Sequence, residues 1–522
     1  RLGEEARGVL AWAAVAGREF TLPLLQEVTG QEEDKLLEAI DKAEAARVLV
    51  PRPSLGQEAY AFADNQTREV LYEGISPVRR RRYHLRMGQA VEKVHTRHLE
   101  EHYDALAHHF LEGNELQKAA EYSIKAGDRA SSIFSWDRAI GHYQTALELL
   151  EELEADPRRQ AEVLEQLALV TGLGRGRGAV EFWEKALSIY ETLKDNKRAG
   201  VVHLRLGSRA GWIVDRGRRY SHNVKAVALL EPEGESPQLA QAYFQLGDMA
   251  VHGHGERSTG IPLMEKGLAL AEQLGDTAVV IEAAHWLGHA LIIHAAEIDR
   301  GLKMYARGFE AAKRVGNPVT ISDAAAGLGR EHAFLRDTEN ALRWAGQAVE
   351  AAKQAGTVSH QIRAALVLAG ACILRGDAAL ALSSLEAAEQ VARKVGLEVR
   401  SVAMATGFGG RNVIPATVNI ILGEWDKAES ELLQALEDAE QAHSQTTKQI
   451  WINPALGWIY LERSDLAAAK THLGESATYC QAVGDKPPEL YARALLVQAC
   501  SKGGELEQAA EHLGRAREIF SL

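Results

Sequence analysis

Cysteine is scarce in this chain, with only Cys372, Cys480 and Cys500 among its 522 residues. Their spacing forms neither a disulfide framework nor a paired metal motif, and such a low content is typical of a reducing compartment. Long apolar runs are also missing, because the most apolar stretch, residues 413–422, contains polar residues and a proline. That stretch falls well short of the roughly 18 residues that span a bilayer. These absences predict a cytoplasmic protein without a membrane segment.

The chain also lacks an excess of basic charge. Its 59 Lys and Arg residues face 72 Asp and Glu residues, and the net charge of -13 disfavours a general binder of nucleic acid or anionic membranes. No G-x-x-x-x-G-K-[ST] phosphate loop occurs, and the glycine run at 172–178 lacks a lysine and a preceding strand. That run is predicted to be a turn between helices. We therefore expect no enzyme activity and no cofactor in this chain.

One pattern recurs from about residue 100 to the end. Second helices open at a small or polar turn and reach an alanine a few residues later, with steps of 40, 47, 41 and 40 residues between these alanines. A nearly fixed period indicates a stacked array of helical repeats. The alanines are Ala341, Ala381, Ala428, Ala469 and Ala509.

Leu-Gly or Leu-Ala pairs recur midway along the first helices. A glycine inside a helix costs about 1 kcal/mol relative to alanine, so its recurrence predicts close contact between helix backbones. The pairs are Leu206-Gly207, Leu246-Gly247, Leu287-Gly288, Leu328-Gly329, Leu368-Ala369 and Leu456-Gly457.

These features resemble the tetratricopeptide repeat, in a long form of about 40 residues instead of the usual 34. The resemblance covers roughly residues 100–522, with about ten units. The predicted repeat domain is 96–522, with a candidate break near 400–411, where the period lengthens to 47. It implies an all-α, right-handed superhelical solenoid whose first helices line a concave groove. A protein or peptide is the partner that such a groove implies.

The first 95 residues follow a different pattern. Helical periodicity at 3–16 and 32–46 precedes two short apolar segments, 47–50 and 58–62, on either side of a Pro/Gly turn. This order predicts a β-hairpin, and helices with a hairpin predict a small winged-helix-like domain over residues 1–95.

Two segments of that domain, Ala13–Phe20 and Tyr60–Arg82, resemble the winged-helix region of bacterial STAND-type signalling ATPases. The resemblance implies a P-loop ATPase module upstream, repeats downstream, and a cyclase, kinase or DNA-binding output domain in the parent protein. The chain starts at Arg1 and enters a helical pattern at once, so we expect a piece of a longer protein.

Two hypotheses for the function follow. The first is a non-catalytic interaction and signal-sensing scaffold, the regulatory half of such an ATPase, which couples binding in the repeat groove to the upstream nucleotide switch. The alternative is a fragment of a transcription regulator whose winged helix contacts DNA, although the acidic charge makes a nucleic-acid partner unfavourable.

The run Arg79, Arg80, Arg81 and Arg82 is the one basic cluster in the sequence. Ser76 and Pro77 are suited to the N-cap and first position of a helix, so the arginines are predicted to begin one. They could contact phosphate or DNA, contact the ATPase module, or form a solvated helix face, and the sequence leaves these alternatives open.

Histidines also cluster, but neither cluster completes a metal motif. His95, His98 and His102 have the spacing of one helix face, with His108 and His109 close by. Glu282, His285 and His289 form a second set, which lacks the His-Glu-x-x-His order of zinc peptidases. We therefore expect no metal site.

Groove residues are predicted from the register of the Leu-Gly pairs, because residues three or four apart on a helix project to the same side. Trp451 and Trp458 are the strongest candidates as aromatic anchors, although they could instead pack between repeats. The predicted groove residues are Phe244, Asp248, Glu282, His285, His289, Asp323, Arg330, Trp451, Trp458, Tyr491 and Gln498.

Overall fold

The computed structural model describes residues 3–52, 59–133, 135–175, 178–208, 216–254, 256–293, 297–394, 416, 419–420, 423–441, 445, 447–483 and 486–520. The chain divides by compactness into unit 1, Arg1–Leu230, and unit 2, Glu231–Leu522, and each is described by itself. The predicted fold class, tetratricopeptide-like helices with a small sheet near the start of the chain, is confirmed.

Unit 1 begins with short helices around a three-stranded antiparallel sheet of order β1-β3-β2. The elements are α1 (Glu4–Ala16), β1 (Glu19–Thr21), α2 (Leu22–Thr29), α3 (Glu33–Ala45), β2 (Leu49–Pro51), β3 (Ala59–Phe62), α4 (Asn65–Glu73) and α5 (Pro77–Val94). The predicted hairpin is confirmed as β2 and β3, and its turn lies outside the described residues. Strand β1 was not predicted, because three residues directly after a helix are too few to show a period of two.

Helical pairs fill the rest of unit 1. The helices are α6 (Tyr103–Glu112), α7 (Leu116–Ser132), α8 (Trp136–Glu152), α9 (Pro157–Arg175), α10 (Ala179–Thr192), α11 (Asn196–Leu206) and α12 (Arg216–Leu230). One continuous apolar core reaches from Ala6 on α1 to Val170 on α9, so the sheet and the first helical pairs share it. The domain boundary at residue 95 stays a prediction.

Unit 2 is built from helix pairs. In the described pairs over 237–393, and again over 453–520, each first helix packs on the second helix that follows it and on a neighbouring first helix. The segment with the predicted break, 400–411, lies outside the described residues. The helices are α13 (Pro237–His254), α14 (Arg257–Leu274), α15 (Thr277–Ile293), α16 (Ile298–Val315), α17 (Pro318–Phe334), α18 (Thr338–Ala355), α19 (Val358–Arg375), α20 (Ala378–Arg393), α21 (Trp425–Gln441), α22 (Asn453–Glu462), α23 (Leu466–Val483), α24 (Lys486–Lys502) and α25 (Leu506–Phe520).

The small residues of the repeat pattern lie where paired helices touch. All five anchoring alanines are buried. A Cβ on Gly247 of α13 would lie 2.5 Å from the carbonyl oxygen of Gly260 on α14. A Cβ on Gly267 of α14 would likewise lie 2.6 Å from the carbonyl oxygen of Ala240. Real Cβ atoms do not approach so closely, so the predicted contact between helix backbones is confirmed at Gly247. At Gly207 and Gly457 an added Cβ would instead meet the side chains of Asn223 and Leu473.

One described helix, α19, is long and apolar enough by length and composition to cross a membrane. Nevertheless 44% of that stretch is buried inside the protein. Its residues Ile362, Leu366 and Ala369 share a core cluster with Ala381 and Leu385 of α20. This packing is that of the first helix of a repeat.

Replacing Gly267 by alanine tests the helix contact. The new Cβ would collide with the backbone of α13, so we expect the free energy of unfolding to fall by about 1–3 kcal/mol, as for other overpacked sites. Hydrogen exchange of the α13 and α14 amides measures the change.

Gly346 on α18 supplies the matched control, because a Cβ there would meet nothing within 4 Å. Gly346→Ala should leave protection unchanged or raise it by up to about 1 kcal/mol, the ordinary helix-propensity gain. Equal effects of the two substitutions would show that the contact between α13 and α14 is not tight.

Candidate functional site

The small residue of each Leu-Gly or Leu-Ala pair sets a register along the first helices of unit 2. One position lies six residues before this small residue, and another lies one residue after it. The two positions are seven residues apart, close to two helical turns, so their side chains share one face of the helix. These positions hold Glu282 and His289 on α15, Asp323 and Arg330 on α17, and Arg363 on α19. All five side chains are partly exposed.

An ion pair joins this face across successive repeats. Arg363 Nη1 donates to Asp323 Oδ1 at 2.6 Å, and His360 Nε2 lies 3.4 Å from Asp323 Oδ2. The Nε of Arg363 is buried and has no hydrogen-bond partner among the described residues. Where α17 meets α19, the face therefore carries the Arg363 guanidinium, whose hydrogen-bond donors are only partly paired with acceptors of the protein.

Where α15 meets α17, the polar contacts converge on the carboxylate of Glu331. Its Oε1 accepts hydrogen bonds from the Tyr305 hydroxyl at 2.9 Å and from Arg330 Nε at 2.9 Å and Nη2 at 2.8 Å. His289 Nδ1 lies 3.0 Å from the same oxygen. Arg330 Nη2 also donates to the Tyr305 hydroxyl at 2.9 Å. The Glu331 side chain is 1% exposed, whereas that of Arg330 is 25% exposed and reaches the surface.

The charges in this network shift the pKa of each member. Burial alone would raise the pKa of Glu331, but the charge of Arg330 and hydrogen bonds from His289 and Arg330 outweigh it and hold that pKa well below its ordinary value. Burial and the Glu331 carboxylate raise the pKa of Tyr305 well above its ordinary value. Glu331 is therefore an anion, and Tyr305 is a neutral hydroxyl, at neutral pH.

His285 completes the site. Its ring packs edge-on against Trp286 and Tyr305, at interplanar angles of 70° and 71° and with ring centres 5.0 Å and 4.9 Å apart. A Cβ on Gly327 would lie 2.5 Å from His285 Cε1, so the glycine makes room for this ring. We call the resulting set of side chains the groove cluster. Its members are His285, His289, Tyr305, Asp323, Arg330, Glu331 and Arg363.

Four of the predicted groove residues belong to this cluster, namely His285, His289, Asp323 and Arg330. Glu282 lies on the same face of α15 and is partly exposed. Sequence reasoning missed Arg363, although the pair Leu368-Ala369 placed it six residues before a register mark. Tyr305 and Glu331 were missed because neither occupies a groove-facing position of a first helix.

Phe244 and Asp248 are not groove residues, and their prediction is wrong. Both side chains are buried. Phe244 packs against Gly267, where an added Cβ would lie 2.7 Å from the Phe244 backbone nitrogen. Asp248 directly follows Gly247, whose backbone touches α14. The position of Phe244 therefore lies in the contact between α13 and α14, and neither position that the register assigned to the groove is open to a partner.

The four predicted residues nearer the C-terminus are not part of the groove cluster. Trp451 is 43% exposed, and Tyr491 and Gln498 on α24 are exposed as well. Trp458 is partly buried and packs against the core clusters of two successive helix pairs, which fits the packing alternative. A contact role for Trp451, Tyr491 and Gln498 stays a prediction.

The four arginines at the start of α5 have different surroundings. Arg80 Nη2 donates to the backbone carbonyls of Tyr72, Glu73 and Ile75 at 3.2–3.4 Å, and its guanidinium lies over the Tyr72 ring. Arg80 therefore holds α4 against α5. The other three, Arg79, Arg81 and Arg82, are exposed.

The predicted helix face of three histidines is wrong, because α5 ends at Val94. His95 caps that helix, and His98 and His102 flank or occupy the short turn that follows. The rings of His95 and His102 stack with centres 3.8 Å apart. The structure instead brings His108 and His109 on α6 against His84 on α5, a residue that the sequence pattern did not single out.

A comparison with protein-family models finds no match, and a comparison with curated proteins finds none either. Among solved structures, the chain is similar to a STAND protein with a tetratricopeptide repeat sensor from Pyrococcus horikoshii, at 16% identity and a TM-score of 0.39. That match covers 74% of this chain and 62% of the other, so this chain spans less than two thirds of that protein.

Two further solved structures are similar over most of their own length. One is a Rap protein complexed with Competence and Sporulation Factor, at 11% identity and a TM-score of 0.46, covering 77% of this chain and 97% of that one. The other is the apo form of the quorum sensor NprR from B. thuringiensis, at 11% identity and a TM-score of 0.36, covering 83% and 96%. Likenesses of this size carry no argument about function, which rests on the geometry above.

Removing the central carboxylate tests the groove cluster. Glu331→Ala leaves the Arg330 guanidinium without its buried partner, so we expect the free energy of local unfolding to fall by about 3–5 kcal/mol. Glu310→Ala removes an exposed ion pair with Lys313 and should change it by less than about 0.5 kcal/mol. Hydrogen exchange of the α15 and α17 amides measures both values, and a small loss for Glu331→Ala would contradict the network.

The stability of this region should also depend on pH in a defined direction. The folded pKa of Glu331 lies below the ordinary 4.5, so its contribution is complete above about pH 4.5 and is lost as the pH falls below that value. Glu331→Gln cannot titrate. The gap in thermal midpoint between the wild type and this variant should therefore narrow between pH 5 and pH 3, and a constant gap is the contrary result.

Proposed function

We propose that this chain is a non-catalytic interaction and sensing scaffold that binds a polar peptide or peptide segment of a protein on the groove cluster. The observation that carries this proposal is the arrangement of both signs of charge on three successive first helices. Extended backbone presents hydrogen-bond donors and acceptors along its length, and a face with paired carboxylates and guanidinium groups matches both.

The surroundings of Arg363 support the same proposal. Its Nη1 is paired with Asp323, but its buried Nε has no partner among the described residues. A buried donor without an acceptor costs free energy, so the protein gains little stability from this arginine. The side chain is 20% exposed, so a ligand carbonyl or carboxylate would reach its guanidinium from the surface. His285, for whose ring Gly327 makes room, adds an aromatic surface beside the charges.

In the parent protein, we propose that the chain is the regulatory part of a STAND-type ATPase. The sequence resemblance at Ala13–Phe20 and Tyr60–Arg82 supports this, as does the order helix, strand, two helices and two strands in α1 to β3. Binding in the groove would then be coupled to an upstream nucleotide switch. The proposal requires a phosphate-binding loop upstream of Arg1, and a parent sequence without one would contradict it.

The DNA-binding alternative is disfavoured by charge. Helix α3, which precedes the hairpin and would be the reading helix of a winged-helix domain, exposes Glu33, Asp34, Glu38 and Asp41. These carboxylates would face a phosphate backbone and repel it. The observation that favours DNA binding is the exposure of Arg79, Arg81 and Arg82 at the start of α5.

Peptides selected from a random displayed library against the full chain test the groove. Arg363→Gln removes the guanidinium and its charge but keeps a polar side chain, so we expect the affinity of the selected peptides to fall at least about tenfold in fluorescence anisotropy. Arg307→Gln on the second helix α16 removes an exposed charge paired with Glu272 and should leave affinity unchanged. Equal affinities for the wild type and Arg363→Gln would contradict the proposal.

Random duplex DNA at low salt tests the alternative. We expect no mobility shift, because the chain is acidic and α3 exposes carboxylates. Binding that weakens steeply with salt and is lost on replacing Arg79, Arg81 and Arg82 by glutamine would instead support a transcription regulator.

A further inference from the structure

Three histidines meet between α5 and α6 in unit 1. One ring nitrogen from each of His84, His108 and His109 lies within 4.8 Å of the other two. His84 is 1% exposed and His109 is 4% exposed, whereas His108 is open to solvent. The cluster thus has two buried imidazoles and one at its entrance.

Close packing of the two helices holds these rings in place. A Cβ on Gly113, just after α6, would lie 2.9 Å from the Leu85 backbone nitrogen, so the end of α6 touches α5 next to His84. A Cβ on Gly88 would lie 3.0 Å from the Phe110 ring, one residue after His109. The histidines face each other because α5 and α6 are in close contact on either side of them.

The two ring nitrogens of His84 have different neighbours, and its Nδ1 faces His109. The Tyr72 hydroxyl lies 2.9 Å from His84 Nε2, and the Nδ1 atoms of His84 and His109 lie 3.0 Å apart. Neutral imidazoles each keep one nitrogen lone pair for a cation.

We propose that His84, His108 and His109 bind one divalent transition-metal ion of the zinc class. Imidazole nitrogens suit zinc, copper and nickel, and three histidines with a fourth position left to water form an established zinc geometry. Tyr72 is the positioning residue, because its contact with Nε2 orients the His84 ring in the way that outer partners of metal ligands do.

The ion would fasten two parts of unit 1. His84 lies on the last helix before the predicted boundary at residue 95, and His108 and His109 lie on the first full helix after it. A bound ion therefore ties the small sheet-containing segment to the first repeat.

Zinc titration of the full chain against a chromophoric chelator tests the site. We expect one ion per chain with micromolar or tighter affinity, and a loss of at least tenfold in His108→Ala, whose exposed position spares the fold. Zinc should also raise the thermal midpoint of the wild type but not that of the variant. Absence of tight binding to the wild type, or equal affinity in His108→Ala, would overturn the proposal.

The location needs its own control, because the chain contains 19 histidines. His102→Ala removes one ring of the stacked His95–His102 pair and should bind zinc as the wild type does, whereas a loss there would place the ion elsewhere. Carbethoxylation mapped by mass spectrometry needs no variant. Zinc should protect His108 of the wild type from modification, and equal modification with and without zinc would refute the site.

Discussion

The contact between paired helix backbones is the constraint on which unit 2 depends. At Gly288 and Gly301 the close approach is reciprocal, since a Cβ on either would lie 2.7–2.9 Å from the carbonyl oxygen of the other. Neither helix can rotate about its axis without breaking this contact. The direction in which every other side chain of the two helices points is therefore fixed. The groove cluster depends on this contact directly, because a Cβ on Gly288 would also lie 2.6 Å from the ring of Tyr305, one of its members.

The repeat array could be predicted because its steric requirement recurs in the sequence. Each pair needs a small residue where the helices cross, and the buried alanines from Ala341 to Ala509 satisfy that need at a regular spacing. Strand β1 shows the limit of such reasoning. Its three residues become a strand because Phe20 pairs with Tyr60 of β3, a partner forty residues away. Local pattern carries no trace of that pairing.

The site could be predicted only in part, for a related reason. The register along a first helix predicts the direction in which a side chain points. It does not predict whether a neighbouring helix covers that side chain. His285 and Phe244 each occupy the position three before the glycine, yet Phe244 packs against α14 whereas Gly327 makes room for the His285 ring. Glu331 and Tyr305 meet His289 only through packing of successive repeats. His84 meets His109 for the same reason, across two helices whose contact is set by Gly113.

Stability alone does not account for the charges of the groove cluster. A buried ion pair repays its desolvation only when its geometry is good, and apolar residues of similar volume would often serve as well. The neighbouring helices of unit 2 meet through alanine, leucine and other apolar side chains. The Glu331 network is fully hydrogen-bonded at Oε1 but brings Arg330 to the surface, and Asp323, on the same face of α17, binds Arg363. The buried polar contacts of this network orient two guanidinium groups toward one face. Such an arrangement is suited to recognition of a polar partner.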